Sequence, residues 1–536
     1  MRLNRTFYSL NGGIFGMRFS TLTMTTKLAF LMAALSASQW LCGATTAAWA
    51  YGLDQVNHVI TISPTGEYNQ DARNGLEYLK NRSDKDTLWT MKFQPGKYYL
   101  SLPLYCVGLE NVQFVSDPAN PAMLIKGPNF NQSEYIFYTR MSHDVKLQGF
   151  QFYGLTNFQN GPTPVWSDQG VFFGSCKNIV VDSNKFFNFG NAALRITTSE
   201  VDPVTGVNSF NSTVTNNYFN NIYQVTTTSN DKTHGGTHGY RMEKNTFVNL
   251  RGSVKFATRT PGASDIHILN NVINGGDHFG LEINNYSNME IRGNNFANIK
   301  SVAVNIYTAG DSANMQKGFQ WGDNFTLADN VIKNSDRAFR ICPSPFFDGT
   351  TVLPHKMVID NNTMSTIDET NREVAAIDIL NGKIDGLQIT RNKMNGIASK
   401  KYITIAPGST NISQSQNQAD GATLATDGSN IAVNDTNAPA TPTNLTGKYN
   451  GNLVVILQWQ DNAPSESGEE VWGSLDGKSY SLIAKLNPQS TRFQHNLKRL
   501  PSSPSVYYAV KAINKNGASP LSTPCKVTFS SQPANG

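Results

Sequence analysis

The feature that most limits what this chain can fold into is a phrase that recurs between Ile179 and Lys400: an apolar alternation, then Asn, then an aromatic or aliphatic residue one or two places on. Its instances are IVVDSNKFF, STVTNNYF, YRMEKNTF, IHILNNVI, MEIRGNNF, TLADNVI, MVIDNNTM and LQITRNKM. With Asn184, Asn217, Asn245, Asn271, Asn295, Asn330, Asn362 and Asn392 as markers, the separations run from 24 to 35 residues. A repeat of this size with variable insertions means a solenoid. Within each unit the apolar residues alternate with period two, as in Ile266 and Ile268 or Met289 and Ile291, which marks strands and not helices. One such strand cannot bury its apolar face alone, whereas stacked coils give every strand two neighbours and one continuous core. The expected fold class is therefore all-β, a right-handed parallel β-helix. The recurring Asn fits a stacked turn position, bonding backbone groups and the Asn of the next coil.

The first fifty residues carry Arg2, Arg5, Arg18 and Lys27 and no acidic residue, followed by the apolar run LAFLMAALSASQWLCG and Ala48-Trp49-Ala50. That order has the form of a signal peptide with cleavage after Ala50, which predicts a secreted or periplasmic protein with no stable membrane span once the leader is removed. Without the leader, 40 Lys plus Arg face 39 Asp plus Glu, a balance that gives a nucleic-acid partner no support. Cys106, Cys176, Cys342 and Cys525 are spaced too widely for a metal knuckle or a disulfide framework, and read as small buried residues. A monomer is expected.

Residues 51–415 read as the β-helix with an N-terminal cap, 416–441 as a linker and 442–536 as a small β-sandwich. In the cap, Ala72, Leu76 and Leu79 share one helical face, able to cover the open end of the solenoid. Phe93-Gln94-Pro95-Gly96-Lys97-Tyr98-Tyr99-Leu100 follows. This F-x-P-G-x-Y-x-L phrase after a short amphipathic helix resembles the opening segment of the pectate-lyase-like β-helix superfamily, which includes polysaccharide lyases, glycoside hydrolases, sugar epimerases and phage tailspikes. The resemblance spans roughly residues 55–415 and specifies architecture rather than chemistry. Near the C-terminus, Trp459 and the phrase Y-x-V-x-A-x-N-x-x-G-x-S from Tyr508 resemble a fibronectin type III module, which implies a spacer or docking role without catalysis.

A second strand follows most of the recurring Asn residues, and alignment of these strands produces a polar column. Leu194-Arg195-Ile196, Val254-Lys255-Phe256, Leu281-Glu282-Ile283, Val304-Asn305-Ile306, Phe339-Arg340-Ile341 and Ile377-Asp378-Ile379 each set a polar residue between apolar flanks. With period two the flanks point into the core, so Arg195, Lys255, Glu282, Asn305, Arg340 and Asp378 are expected on one exposed face, about 4.8 Å apart from coil to coil. Simple pairing of opposite charges on an exposed face would account for such a row as well.

Eliminative cleavage of a uronate needs a neutralised carboxylate, a base for the neighbouring proton and a donor for the leaving oxygen. Lys255 is the candidate base, Arg340 or Arg259 the carboxylate clamp, and His238, in the Gly-rich stretch Thr233–Arg241, a further proton-transfer group. Arg195, Asn305, Tyr286 and Tyr307 are candidate substrate contacts, and Glu282 with Asn284 could hold calcium through oxygen ligands. Gly280-Leu281-Glu282-Ile283 is similar to the metal-binding strand of the alginate and chondroitin lyase branch, but Asn284-Asn285-Tyr286 replaces that branch's second glutamate and Lys-Ser. The leading expectation is thus a polysaccharide lyase acting on an acidic glycan. A hydrolase would need a carboxyl pair about 5–10 Å apart, an epimerase would invert a uronate centre, and a non-catalytic glycan-binding or adhesion protein would need neither.

Overall fold

The computed structural model describes residues 51–131, 133–156, 168–198, 210–229, 237–258, 263–284, 286–307, 324–342, 356–367, 374–380, 384–425, 431–433, 439–450, 453–463, 466, 468–488, 490–497, 499–514 and 517–529. The leader 1–50, and with it the expected export signal, lies outside these residues. No helix among the described residues is long and apolar enough to cross a membrane.

The fold is a right-handed parallel β-helix followed by an antiparallel β-sandwich. One wall is a 14-stranded sheet, parallel after an antiparallel first pair, Gly52–Asp54 with Val59–Ile62. The other large sheet bends into two further walls. They merge where Asn295–Tyr307 and Val331–Cys342 run round the corner and pair with strands on both sides. Strand alternation fills the interior: Phe152, Phe186, Phe219 and Phe247 stack coil over coil at ring separations of 5.0, 4.7 and 4.7 Å. Each is fully buried, so the parallel walls close over a dry core.

The Asn ladder forms as expected, with two adjustments. Each Asn donates its backbone N–H and its Nδ2 to the Oδ1 of the Asn one coil on, from Asn184 through Asn217, Asn245, Asn271, Asn294, Asn330, Asn362 and Asn392, the last donating to Asn417, at 2.9–3.1 Å. The residue before each has a left-handed backbone with φ of 52–68°, which turns the Asn inward. Asn294, not Asn295, occupies the ladder, because Gly293 takes that left-handed position and Asn295 faces solvent. Asn417 adds a rung, and Ile431–Val433 pairs in parallel with Ile403–Ile405, so coil structure continues past residue 416.

The cap helix runs from Tyr68 to Asn81 and buries Ala72, Leu76 and Leu79. The F-x-P-G-x-Y-x-L phrase acquires a physical account. Gly96 has φ 142° and a Cβ there would stand 2.7 Å from Pro64, while the buried Tyr98 donates its hydroxyl to the carbonyls of Ile62 and Gln94. Cys106, Cys176 and Cys342 are buried thiols and Cys525 is half-buried; none is bridged. The sandwich sets Thr443–Tyr449, Val454–Gln460 and Arg492–Asn496 against a second sheet centred on Gly468–Ser474 and Ser505–Asn514. Trp459, Val471, Tyr508 and Val510 lie in its core.

Candidate functional site

The polar column exists. Strand pairing places Arg195 beside Thr226, then Lys255, Glu282, Asn305, Arg340, Asp378 and Thr404, one per coil. The Gln224–Ser229 strand, poorly aligned in sequence, supplies Thr226, and Asp378 takes its place despite its longer distance from the repeat. Toward the N-terminus the column turns aromatic. Tyr105, Tyr138 and Phe172 stack at 5.0 and 4.5 Å with interplanar angles of 15° and 5°, and Phe172 abuts Arg195.

What the sequence did not reveal is that the lower part of this wall is roofed. Arg340 donates through Nη2 to the backbone carbonyl and Oε1 of Glu466 in the sandwich, both at 2.8 Å. Asn487, also in the sandwich, donates to the Tyr307 hydroxyl. Glu282, Asn305, Arg340 and Asp378 point away from the helix core as expected, yet they are at most 5% exposed. The expectation of an open face fails for them because the sandwich lies on it. Arg195 and Lys255 stay half-buried at the edge of the covered part.

Under the roof the charges are paired. Lys255 Nζ donates to Glu282 Oε1 at 2.7 Å, Tyr307 Oη donates to the same oxygen at 2.5 Å, and Ser253 Oγ donates to Oε2 at 2.9 Å. Burial pushes the Glu282 carboxyl up, but the Lys255 ammonium and these donors outweigh it and hold the group below the ordinary carboxylate range. Burial, and then the Glu282 charge, push the Tyr307 phenol well up, so it stays a donor. Arg337 pairs with Asp378 at 3.4 Å, and Thr404 donates to Asp378. Across from Arg340, oxygens of Asp461, Glu466 and Glu469 lie within 4.8 Å of one another, and burial followed by the neighbouring Asp461 and Glu466 charges raises Glu469 well above its ordinary value.

Several expected roles are not met by this geometry. Tyr307 is buried and hydrogen-bonded, so it offers no stacking face, and Asn305 and Arg340 are closed off from solvent. Tyr286 begins a strand of the 14-stranded sheet, away from the column. His238 is on that sheet too; its Nδ1 meets Ser264 Oγ, and burial lowers its pKa, so it is not brought to Lys255. Arg259 lies outside the described residues. The donor set does not fit calcium at Glu282 and Asn284: both Glu282 oxygens already accept from protein donors, one of them a cation, and buried Asn284 bonds Tyr307. A hydrolase would need a second carboxylate beside Glu282, and Asp277, close before it in sequence, is bound by Arg251 and Lys300, each at 2.6 Å.

No family model and no curated protein matches the chain. Among solved structures, the surface protein and adhesin PfbA of Streptococcus pneumoniae is 13% identical over 70% of this chain and 99% of that one, with a TM-score of 0.45. A hyperthermoactive exopolygalacturonase of Thermotoga maritima is 13% identical over 68% and 92%, at 0.44. An endo-xylogalacturonan hydrolase of Aspergillus tubingensis is 15% identical over 70% and 100%, at 0.43. An Fn3-like protein of Clostridium thermocellum is 24% identical over 18% of this chain and 98% of its own, at 0.16. Likenesses this distant leave function to the residues of the wall.

Proposed function

We propose that the protein is an exported carbohydrate-recognition β-helix that binds an acidic glycan along the column-bearing wall and does not cleave it. The observation that carries this reading is the strand register that sets the half-exposed Arg195 and Lys255 two coils apart, about 10 Å at sheet spacing, on the wall that continues into Tyr138 and Tyr105. Cations beside aromatic rings suit a chain of acidic sugars. Export is supported by the basic and then apolar leader.

Binding is favoured over cleavage by the state of the reactive groups. A lyase base must hold a free lone pair, and Lys255 commits a proton to Glu282. A hydrolase needs two carboxyl groups flanking one bond, while Asp378 is three coils from Glu282, roughly 14 Å at strand spacing. The test is to incubate the full chain with alginate, pectate, chondroitin and dextran. Salt-sensitive retention of the acidic polymers without ultraviolet absorbance, new reducing ends or altered stereochemistry is the expected result. Unsaturated products would establish a lyase instead, new reducing ends a hydrolase, and no retention of any acidic polymer would remove the proposal.

A further inference from the structure

The sandwich grips the wall with groups that have the chemistry of the proposed ligand. Glu466 lays a carboxylate on the Arg340 guanidinium, and Asn487 brings an amide to the Tyr307 hydroxyl. Both reach the wall from outside, where a glycan lying along the column would place its carboxylates and hydroxyls. We infer that the sandwich is a competitor carried in the same chain: Glu466 occupies a uronate-carboxylate subsite built on Arg340, and undocking the sandwich opens the roofed half of the wall to the acidic glycan. This inference rests on the reading that the wall binds such a glycan, and extends it to residues the docked form conceals.

Two independent features mark the docked contact as a substitute. The first is incomplete hydrogen bonding. Asn305, fully buried next to Arg340, has no partner for either Oδ1 or Nδ2, and Arg340 Nε and Nη1 and Glu469 Oε1 are also buried without one among the described residues. Buried polar groups in a permanent interface are almost always satisfied. A guanidinium with unused donors suits a carboxylate able to take two of them side by side, and an amide with both atoms unused suits sugar hydroxyls. The second is charge. Arg337 and Arg340 face four carboxylates, those of Asp378, Asp461, Glu466 and Glu469, all buried. Even with Glu469 holding its proton, three buried carboxylates share two guanidiniums, which weakens docking, and exchanging the sandwich for a glycan returns the three acidic groups of the sandwich to water.

The test uses full-length chains. Glu466→Lys sets like charges against each other at Arg340. Glu466 is buried in the sandwich, so Asn487→Asp, on the half-buried edge and facing Tyr307 and Glu282, serves as a second undocking variant if the first misfolds. X-ray scattering reads undocking as a larger radius of gyration, and titration with alginate and dextran reads affinity. An undocked variant is expected to bind alginate about tenfold or more tightly than wild type, since the competent fraction rises, with dextran unchanged. Adding Arg340→Gln should remove that gain. Undocking without tighter alginate binding overturns the inference, as does failure of both variants to undock. A wild type that ignores alginate beside an undocked variant that binds it would sink the open-edge reading and uphold this one. Equal binding by both would do the reverse.

Discussion

Two polar columns climb this β-helix in register, and they differ in almost every other respect. The inner ladder from Asn184 to Asn417 repeats one side chain, and its amides bond the next coil and a backbone carbonyl, as Asn271 does with Asn294 and Met242. The outer column changes identity along its length, from Tyr105 and Tyr138 through Arg195 and Lys255 to Arg340 and Asp378, and holds buried atoms with no partner among the described residues. Uniform, satisfied polarity is what a scaffold needs; varied and partly unsatisfied polarity is what a surface built for something else leaves behind. The inner column therefore explains why the chain folds, and the outer one is where we propose that it acts.

Substitutions should separate the two columns. Asn271→Ala would strand the buried backbone N–H of Asn245, which donates to Asn271 Oδ1, while Asn245 Nδ2 would keep the carbonyls of Val214 and Glu243. At about 1–3 kcal/mol for a stranded buried group, chemical denaturation should show a loss of about 1–3 kcal/mol. A loss under 1 kcal/mol would mean that the ladder is ornamental.

The covered carboxylates come next, and they respond to pH in opposite senses. Glu282 is held below its ordinary range, so its contribution is present above the unfolded value of about 4.3 and fades as pH falls through the depressed folded value. Glu469 is raised well above its ordinary value, so its contribution is present below about 4.3 and fades as pH rises toward the folded value. Glu282→Gln should cost about 1–3 kcal/mol at neutral pH and flatten the acid limb of stability against pH. Glu469→Gln should flatten the fall on the other side. Unfolding midpoints measured across pH check both, and matching profiles for the two variants would contradict the assignment. Asn305→Leu should have the smallest effect, within about 1 kcal/mol of wild type by denaturation, because neither amide atom has a partner among the described residues. A loss near that of Asn271→Ala would erase the distinction between the columns.

Much of this was legible in the sequence because a solenoid writes its geometry locally. Period-two alternation fixed which way Arg195, Lys255 and Glu282 point, and repeat spacing fixed which coil each belongs to. The marker slipped only at Asn294 and Asn295, where two adjacent Asn residues cannot be told apart until Gly293 is seen in its left-handed conformation. Exposure was not legible. Whether Arg340 meets water or Glu466 depends on a contact 126 residues along the chain, between modules whose own patterns are each complete. The nearest signal was the acidic group Asp461, Glu466 and Glu469 in a module otherwise read as a spacer. His238 was misplaced for a related reason: strands close in sequence, Gln224–Ser229 and His238–Glu243, belong to different walls.

The most direct test of the account is a titration of alginate into wild type and Arg195→Ala, with the unfolding midpoint of each measured alongside. Arg195 stands in the outer column on the stretch that the sandwich leaves half open. The account predicts affinity lower by about tenfold, the scale of one lost charged hydrogen bond, with an unchanged midpoint. Equal affinity in the two proteins would contradict it and move any glycan site off the open stretch of this wall.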